Sequence, residues 1–118
     1  MILVGALADI PVGEAVRVMA EVPIAVFRVD ADDTGGEVYA IDDTCPHQRA
    51  SLSDGWLEGC AVECPLHASR FDLRTGRPDG PPAKAPVRTH QVVVVDGMVY
   101  LRVSAEAGPA TEAARGVA

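Results

Sequence analysis

Apolar residues in this chain fall in short runs that partly alternate with polar ones. Two runs, residues 15–20 and 23–29, flank a proline-containing turn, and a third at 37–41 follows a turn cluster at 32–36. Alternation with a period of two predicts β-strands. Seventeen valines and four isoleucines against seven leucines strengthen the prediction, because β-branched side chains suit a pleated surface. The chain is therefore predicted to be all-β.

The clearest local signal is a hairpin near residue 96. The apolar run 91–95 is followed by Asp96-Gly97 and then by a second run at 98–103. An Asp-Gly pair between two apolar runs favours a two-residue hairpin turn, because both central positions require positive φ.

Residues 43–86 differ from the β-rich flanks. They contain all three cysteines and two of the three histidines, with many prolines and glycines. A loop-rich segment of this length is usually functional and needs a constraint such as a bound metal. We expect one domain over 1–104 with 43–86 as a metal-binding subdomain, and a flexible tail at 105–118, which is rich in Ala and Gly.

Length and charge exclude several classes of protein. A chain of 118 residues suits one compact domain. Its net charge of -7 disfavours binding to nucleic acid. No run approaches eighteen apolar residues, and the opening segment lacks a basic start, so we expect a cytoplasmic protein that does not enter a membrane. The odd number of cysteines argues against a disulfide framework.

Two short motifs carry the candidate metal ligands. Cys45-Pro46-His47 is followed, after sixteen residues, by Cys64-Pro65-Leu66-His67. Each motif pairs one thiolate with one imidazole, so a site with two metal ions could take both cysteines on one ion and both histidines on the other. A structural zinc ion is an alternative, although zinc sites usually pair like ligands in C-x-x-C and H-x-x-x-H spacings.

This spacing resembles the ligand signature of Rieske [2Fe-2S] proteins, and segments 51–55, 70–72 and 76–83 resemble the regions around such a cluster. The resemblance implies an antiparallel β-sandwich base that carries the loop-rich subdomain. It also implies one [2Fe-2S] cluster per chain, with Cys45 and Cys64 on the inner iron and His47 and His67 on the outer iron.

Departures from the respiratory Rieske proteins bear on the reduction potential. Those proteins have a further cysteine in each loop, where this chain has Ala50 and Leu66, and a tyrosine where it has Phe71. We therefore expect no disulfide across the cluster and fewer hydrogen bonds to its sulfurs, which favours a low potential. Ser69 stands where high-potential proteins place a hydroxyl, and should raise the potential slightly.

The remaining residues indicate an electron carrier and not an enzyme. Beyond the cluster ligands only His90 is left, so a mononuclear iron held by two histidines and a carboxylate cannot be built. No G-x-G-x-x-G motif for a dinucleotide is present. His90 is interpreted as an ordinary surface or strand residue, Cys60 as a small buried or half-buried apolar residue, and Asp42 and Asp43 as a solvated turn, with a docking role as the second interpretation.

The resemblance to small bacterial Rieske ferredoxins implies a monomer that passes single electrons from an NAD(P)H-dependent flavin reductase to a terminal aromatic-ring-hydroxylating oxygenase. Such a carrier binds each partner briefly through a small surface, expected near His47 and His67. The candidate docking residues are Gln48, Arg49, Ala68 and Pro81. Two alternatives stay open: the small subunit of an assimilatory nitrite reductase, and a zinc-stabilised interaction module.

Overall fold

A computed structural model describes residues 1–30, 37–45, 50–66, 69–79 and 86–104. These contain nine strands and two short 3-10 helices, Leu7–Asp9 and Leu52–Asp54. The strands are β1 Ile2–Ala6, β2 Ala15–Met19, β3 Pro23–Val29, β4 Glu37–Asp42, β5 Trp56–Glu58, β6 Ala61–Glu63, β7 Arg70–Asp72, β8 Thr89–Val95 and β9 Met98–Arg102. None of the described helices is long and apolar enough to cross a membrane.

The strands form two sheets, and every strand pair is antiparallel. The larger sheet has the order β1-β9-β8-β4-β3-β2, and the smaller has the order β5-β6-β7. In the larger sheet, β8 joins β4 through only two residue pairs, Ala40 with His90 and Ile41 with Thr89. The all-β prediction is confirmed.

The two halves of the larger sheet pack face to face. Alternate residues of β3 and β4 meet residues of β8 and β9 in one apolar core, because successive side chains of a strand point to opposite faces. The buried members of this first core are Ile10, Ile24, Val26, Val38, Ala40, Val92, Val99 and Leu101. This packing is the predicted β-sandwich base.

A second core lies on the opposite face of β3 and β4. Residues such as Phe27 and Ile41 pack there against residues of the segment 43–86, the predicted cluster-binding subdomain. The buried members are Ala25, Phe27, Val29, Tyr39, Ile41, Cys45, Leu52, Val62, Cys64, Phe71, Leu73 and Val87. The central strands β3 and β4 are therefore covered on both faces, and the subdomain is fixed to the base by apolar packing.

The predicted strands and hairpin agree with the structure, with three differences. Asp96 and Gly97 have φ of 50° and 76°, as the expected turn requires. β8 begins at Thr89, two residues before the predicted run. β1 was not predicted, and residues 43–86, predicted to be loop-rich, contain the three short strands of the smaller sheet. The proposed tail at 105–118 lies outside the described residues.

Candidate metal centre

Cys45 and Cys64 open two hairpin loops of equal length. The backbone N–H of Cys45 donates to the carbonyl of Ala50 at 3.0 Å, and that of Cys64 donates to the carbonyl of Ser69 at 3.1 Å. Each hydrogen bond therefore spans five residues along the chain. We call residues 43–53 the first hairpin and residues 61–72 the second hairpin.

The residue before each cysteine pairs across its hairpin at the same separation. Thr44 pairs with Ser51 as an isolated bridge, whereas Glu63 pairs with Arg70 inside the ladder between β6 and β7. The two cysteines thus hold equivalent places in two loops of one size. Such loops can present matching ligands to one site.

Both cysteines lie at the base of their loops and away from solvent. Cys45 is 3% exposed and Cys64 is fully buried, and both belong to the second core. Neither forms a disulfide. Two reduced, water-excluded thiols at equivalent loop positions fit the thiolate half of an iron-sulfur ligand set.

A close backbone approach brings the segment after the first hairpin next to the second hairpin. Gly55 follows the 3-10 helix that ends the first hairpin, and a Cβ atom built on it would lie 2.1 Å from the carbonyl oxygen of Glu63. No side chain is tolerated there without moving the backbone next to Cys64. Glycine at this position therefore lets the segment after the first hairpin lie against the backbone directly before Cys64.

The other predicted site residues lie outside the described residues. These are the expected ligands His47 and His67 and the docking candidates Gln48, Arg49, Ala68 and Pro81. The imidazole half of the ligand set stays a prediction from the sequence.

The family model of the Rieske [2Fe-2S] domain matches residues 1–91. This chain belongs to the Rieske family. Family membership assigns it one [2Fe-2S] cluster, and the two buried thiols fit that group.

Three proteins that are similar to this chain differ in their described roles. The ferredoxin subunit of 3-phenylpropionate/cinnamic acid dioxygenase from Photorhabdus laumondii is 46% identical over 83% of this chain and 90% of its own. A ferredoxin solved in complex with the oxygenase of carbazole 1,9a-dioxygenase is 38% identical, with TM-score 0.75 over 86% of this chain and all of that chain. A protein described as a nitrite reductase NADPH small subunit is 28% identical, with TM-score 0.71 over 87% and 97%.

Hydrogen bonds to Asp43 stabilise the first hairpin. The carboxylate of Asp43, which is 2% exposed, accepts hydrogen bonds from the Ser51 hydroxyl and, at 2.9 Å, from the backbone N–H of Ser53. The backbone carbonyl of Asp43 accepts a further hydrogen bond from the N–H of Leu52 at 2.7 Å. The interpretation of Asp43 as part of a solvated turn was wrong. Its carboxylate is buried, because the chain folds back and donors eight to ten residues later take the place of water.

Apolar contacts hold the second Rieske hairpin. Val62 and Phe71 are paired across β6 and β7, and both are fully buried in the second core. Beyond β7, the N–H of Leu73 donates to the carbonyl of Cys60 at 2.8 Å. Cys60 itself is partly buried against the same core, as predicted.

The strand that leads to the first hairpin ends in a second polar cluster. The ring of His90 is buried, and its Nε2 lies 2.7 Å from Oδ1 of Asp42, while its Nδ1 accepts from the N–H of Ser104. Arg88 also pairs with Asp42, at 3.3 Å. His90 is thus a strand residue but not a surface residue, and Asp42 belongs to an ion-paired strand end and not to a solvated turn.

Ion pairs line the outer edge of the second hairpin. Arg70 pairs with Glu58 and Asp79, and Arg74 pairs with Asp72. The backbone N–H of Arg70 and then its guanidinium hold the pKa of Asp79 below its ordinary value. The N–H of Asp79 in turn donates to the carbonyl of Arg70 at 2.8 Å, so hydrogen bonds run in both directions between these two residues.

Proposed function

We propose that this Rieske protein is the ferredoxin component of a ring-hydroxylating dioxygenase system, and that it carries single electrons to the terminal oxygenase. The nearly full-length match to dioxygenase ferredoxin subunits carries the proposal. The role is that of a carrier and not of an enzyme: the sequence lacks the histidines for a separate catalytic iron.

Cys45 and Cys64 are proposed as ligands of the inner iron, and His47 and His67 as ligands of the outer iron. The cluster supplies reversible one-electron chemistry at a higher potential than a four-cysteine cluster, because two of its protein ligands are neutral imidazoles. The buried cysteines keep water from the thiolates. Phe71 has no hydroxyl to donate to a sulfur, which supports a potential at the low end of the Rieske range.

The proposed partners are an NAD(P)H-dependent flavin reductase and the terminal oxygenase, which a cytoplasmic, monomeric carrier would visit in turn. Docking is proposed near His47 and His67, with Gln48, Arg49, Ala68 and Pro81 as contact residues. The exposed side chain of Leu66, directly before His67, supports an apolar contribution to this surface. A small and partly apolar contact favours the brief complexes that turnover needs.

A fixed nitrite reductase subunit is the second candidate, because a protein of that description shares the fold. Its lower identity to this chain favours the dioxygenase ferredoxin. The zinc-stabilised module is set aside, because Rieske family membership assigns an iron-sulfur cluster.

Electron transfer to an oxygenase tests the proposal. The reduced chain is mixed in a stopped-flow instrument with the oxidised oxygenase component of a 3-phenylpropionate dioxygenase system, and cluster reoxidation is followed by absorbance. We expect the oxygenase to accelerate reoxidation, and charge reversal Arg49→Glu to slow it. Unaccelerated reoxidation, together with stable co-purification of the chain with a large sirohaem protein, would favour the nitrite reductase subunit instead.

A further inference from the structure

Asp43 places a buried carboxylate beside a cluster ligand. It lies two positions before Cys45, a distance of at most about 7 Å along an extended chain. Both of its carboxylate oxygens accept hydrogen bonds, one from the Ser51 hydroxyl and one from the Ser53 N–H. The carboxylate therefore has a fixed position relative to the first hairpin.

The charge of Asp43 is only weakly compensated among the described residues. The cation in contact with it is Arg17, whose Nη1 lies 3.9 Å from Oδ2. The Arg17 side chain is 55% exposed, whereas that of Asp43 is 3% exposed. Solvent screens an exposed cation far more than a buried anion, so a net negative field remains inside the protein.

We propose that Asp43 positions the first ligand hairpin and that its negative charge lowers the reduction potential of the cluster. An added electron next to a fixed, buried negative charge is less stable than one next to a neutral group. Arg17 opposes this effect from the surface. The inference rests on the proposed role of Cys45 as a ligand, but not on the identity of the redox partners.

Four variants separate charge from structure. Asp43→Asn removes the charge and nearly keeps the shape. Ser51→Ala removes one hydrogen bond to the Asp43 carboxylate and keeps its charge. Arg17→Gln removes the opposing cation. Asp54→Asn is the matched control, because Asp54 is an exposed carboxylate in the adjoining 3-10 helix.

The midpoint potential of each holoprotein is measured by voltammetry at one pH and one ionic strength, and its electron paramagnetic resonance spectrum reports whether the ligand set is intact. We expect Asp43→Asn to raise the potential, Arg17→Gln to lower it, and Asp54→Asn to shift it least. Ser51→Ala should not raise it. Added salt should shrink the effect of Arg17→Gln and leave that of Asp43→Asn largely unchanged, because only the arginine is exposed.

The inference is overturned if Asp43→Asn keeps the wild-type resonance spectrum and its potential is unchanged or lower. It is also overturned if Asp43→Asn and Ser51→Ala both raise the potential equally, since that pattern would reflect a disturbed hairpin and not a charge. Should Asp43→Asn fail to assemble the cluster, Asp43→Ser takes its place, because it also removes the charge and leaves a hydroxyl as hydrogen-bond acceptor; an unchanged or lower potential in that variant would equally overturn the inference. These potentials are measured without an oxygenase. A failure of the proposed function would appear as unaccelerated reoxidation by the oxygenase, whereas a failure of this inference would appear as an unchanged or lower potential in Asp43→Asn.

Discussion

The loops that Cys45 and Cys64 close have the same length, but the hairpins around them are stabilised by different contacts. In the second, the strands β6 and β7 bury Val62 and Phe71 in a core shared with the base. In the first, Leu52 supplies an apolar anchor in the same core, and a single bridge, backbone hydrogen bonds and the hydrogen bonds to the Asp43 carboxylate hold the rest of the loop. Equivalent positions of the two proposed ligands therefore do not require equivalent supports, and the carboxylate that supports the first hairpin is the one proposed above to act on the cluster.

Removal of the cluster should have the largest effect and should separate the two hairpins. Structural metal sites stabilise loops that bury little apolar surface of their own. We expect residues 43–86 to lose amide protection in the apoprotein while the sandwich base stays folded. The second hairpin should retain more protection than the first, because its strands remain buried. Hydrogen exchange of apo and holo protein measures this, and equal protection in both forms would contradict it.

Phe71→Ala should cost about 3 to 5 kcal/mol of unfolding free energy, because it empties a fully buried aromatic site. Urea denaturation of the holoprotein measures the loss. The amide of Cys64, which closes the second hairpin, should exchange faster, whereas that of Cys45 should change less. Phe71→Leu, which keeps most of the apolar volume, is the control and should lose clearly less. Equal losses for both variants would argue against packing as the cause.

Asp43→Ala should cost about 1 to 3 kcal/mol, because the Ser51 hydroxyl and the Ser53 N–H lose a buried acceptor. In this variant the amide of Cys45 should exchange faster and that of Cys64 should be nearly unchanged, the reverse of the order expected for Phe71→Ala. Asp54→Ala, at an exposed site, should cost little. If the Cys64 amide responded as strongly as Cys45, the two hairpins would be one cooperative unit and the contrast between them would fail.

Acid should weaken the outer edge of the second hairpin, with the smallest effect. Arg70 lowers the pKa of Asp79 below its ordinary value of 3.8. The ionised carboxylate therefore stabilises the folded protein at every pH above 3.8, and this stabilisation is lost as the pH falls through the lowered pKa. Asp79→Asn should therefore reduce stability slightly at neutral pH and flatten the decline below pH 3.8. Thermal unfolding of both proteins from pH 6 down to about pH 2 tests this. An unchanged acid slope would contradict it.

The sequence predicted the features that local patterns encode. Alternating valine-rich runs identified the strands of the base, and Asp96-Gly97 identified their hairpin. The cysteine-histidine spacing identified the family, and the structure places both cysteines in equivalent buried positions. In each case the signal lies within a few consecutive residues.

The missed features depend on contacts between distant segments. The strands β5, β6 and β7 have three residues each, too few to show a period, and become strands only by pairing over the second core. Asp43 is like any turn aspartate in sequence, and its burial depends on donors from 51–53 and on Arg17 in another strand. His90 is likewise buried by partners at Asp42 and Ser104. An acidic residue two positions before a proposed ligand cysteine was the available signal for Asp43.

Spin counting of the reduced protein tests the central claim most directly. We predict a Rieske-type resonance that integrates to one electron per two irons in the wild type and in Cys60→Ser, the matched control at the third cysteine. In Cys45→Ser and Cys64→Ser this resonance should be lost. A resonance that survives Cys64→Ser, or one that disappears in Cys60→Ser, would contradict the proposed ligand set.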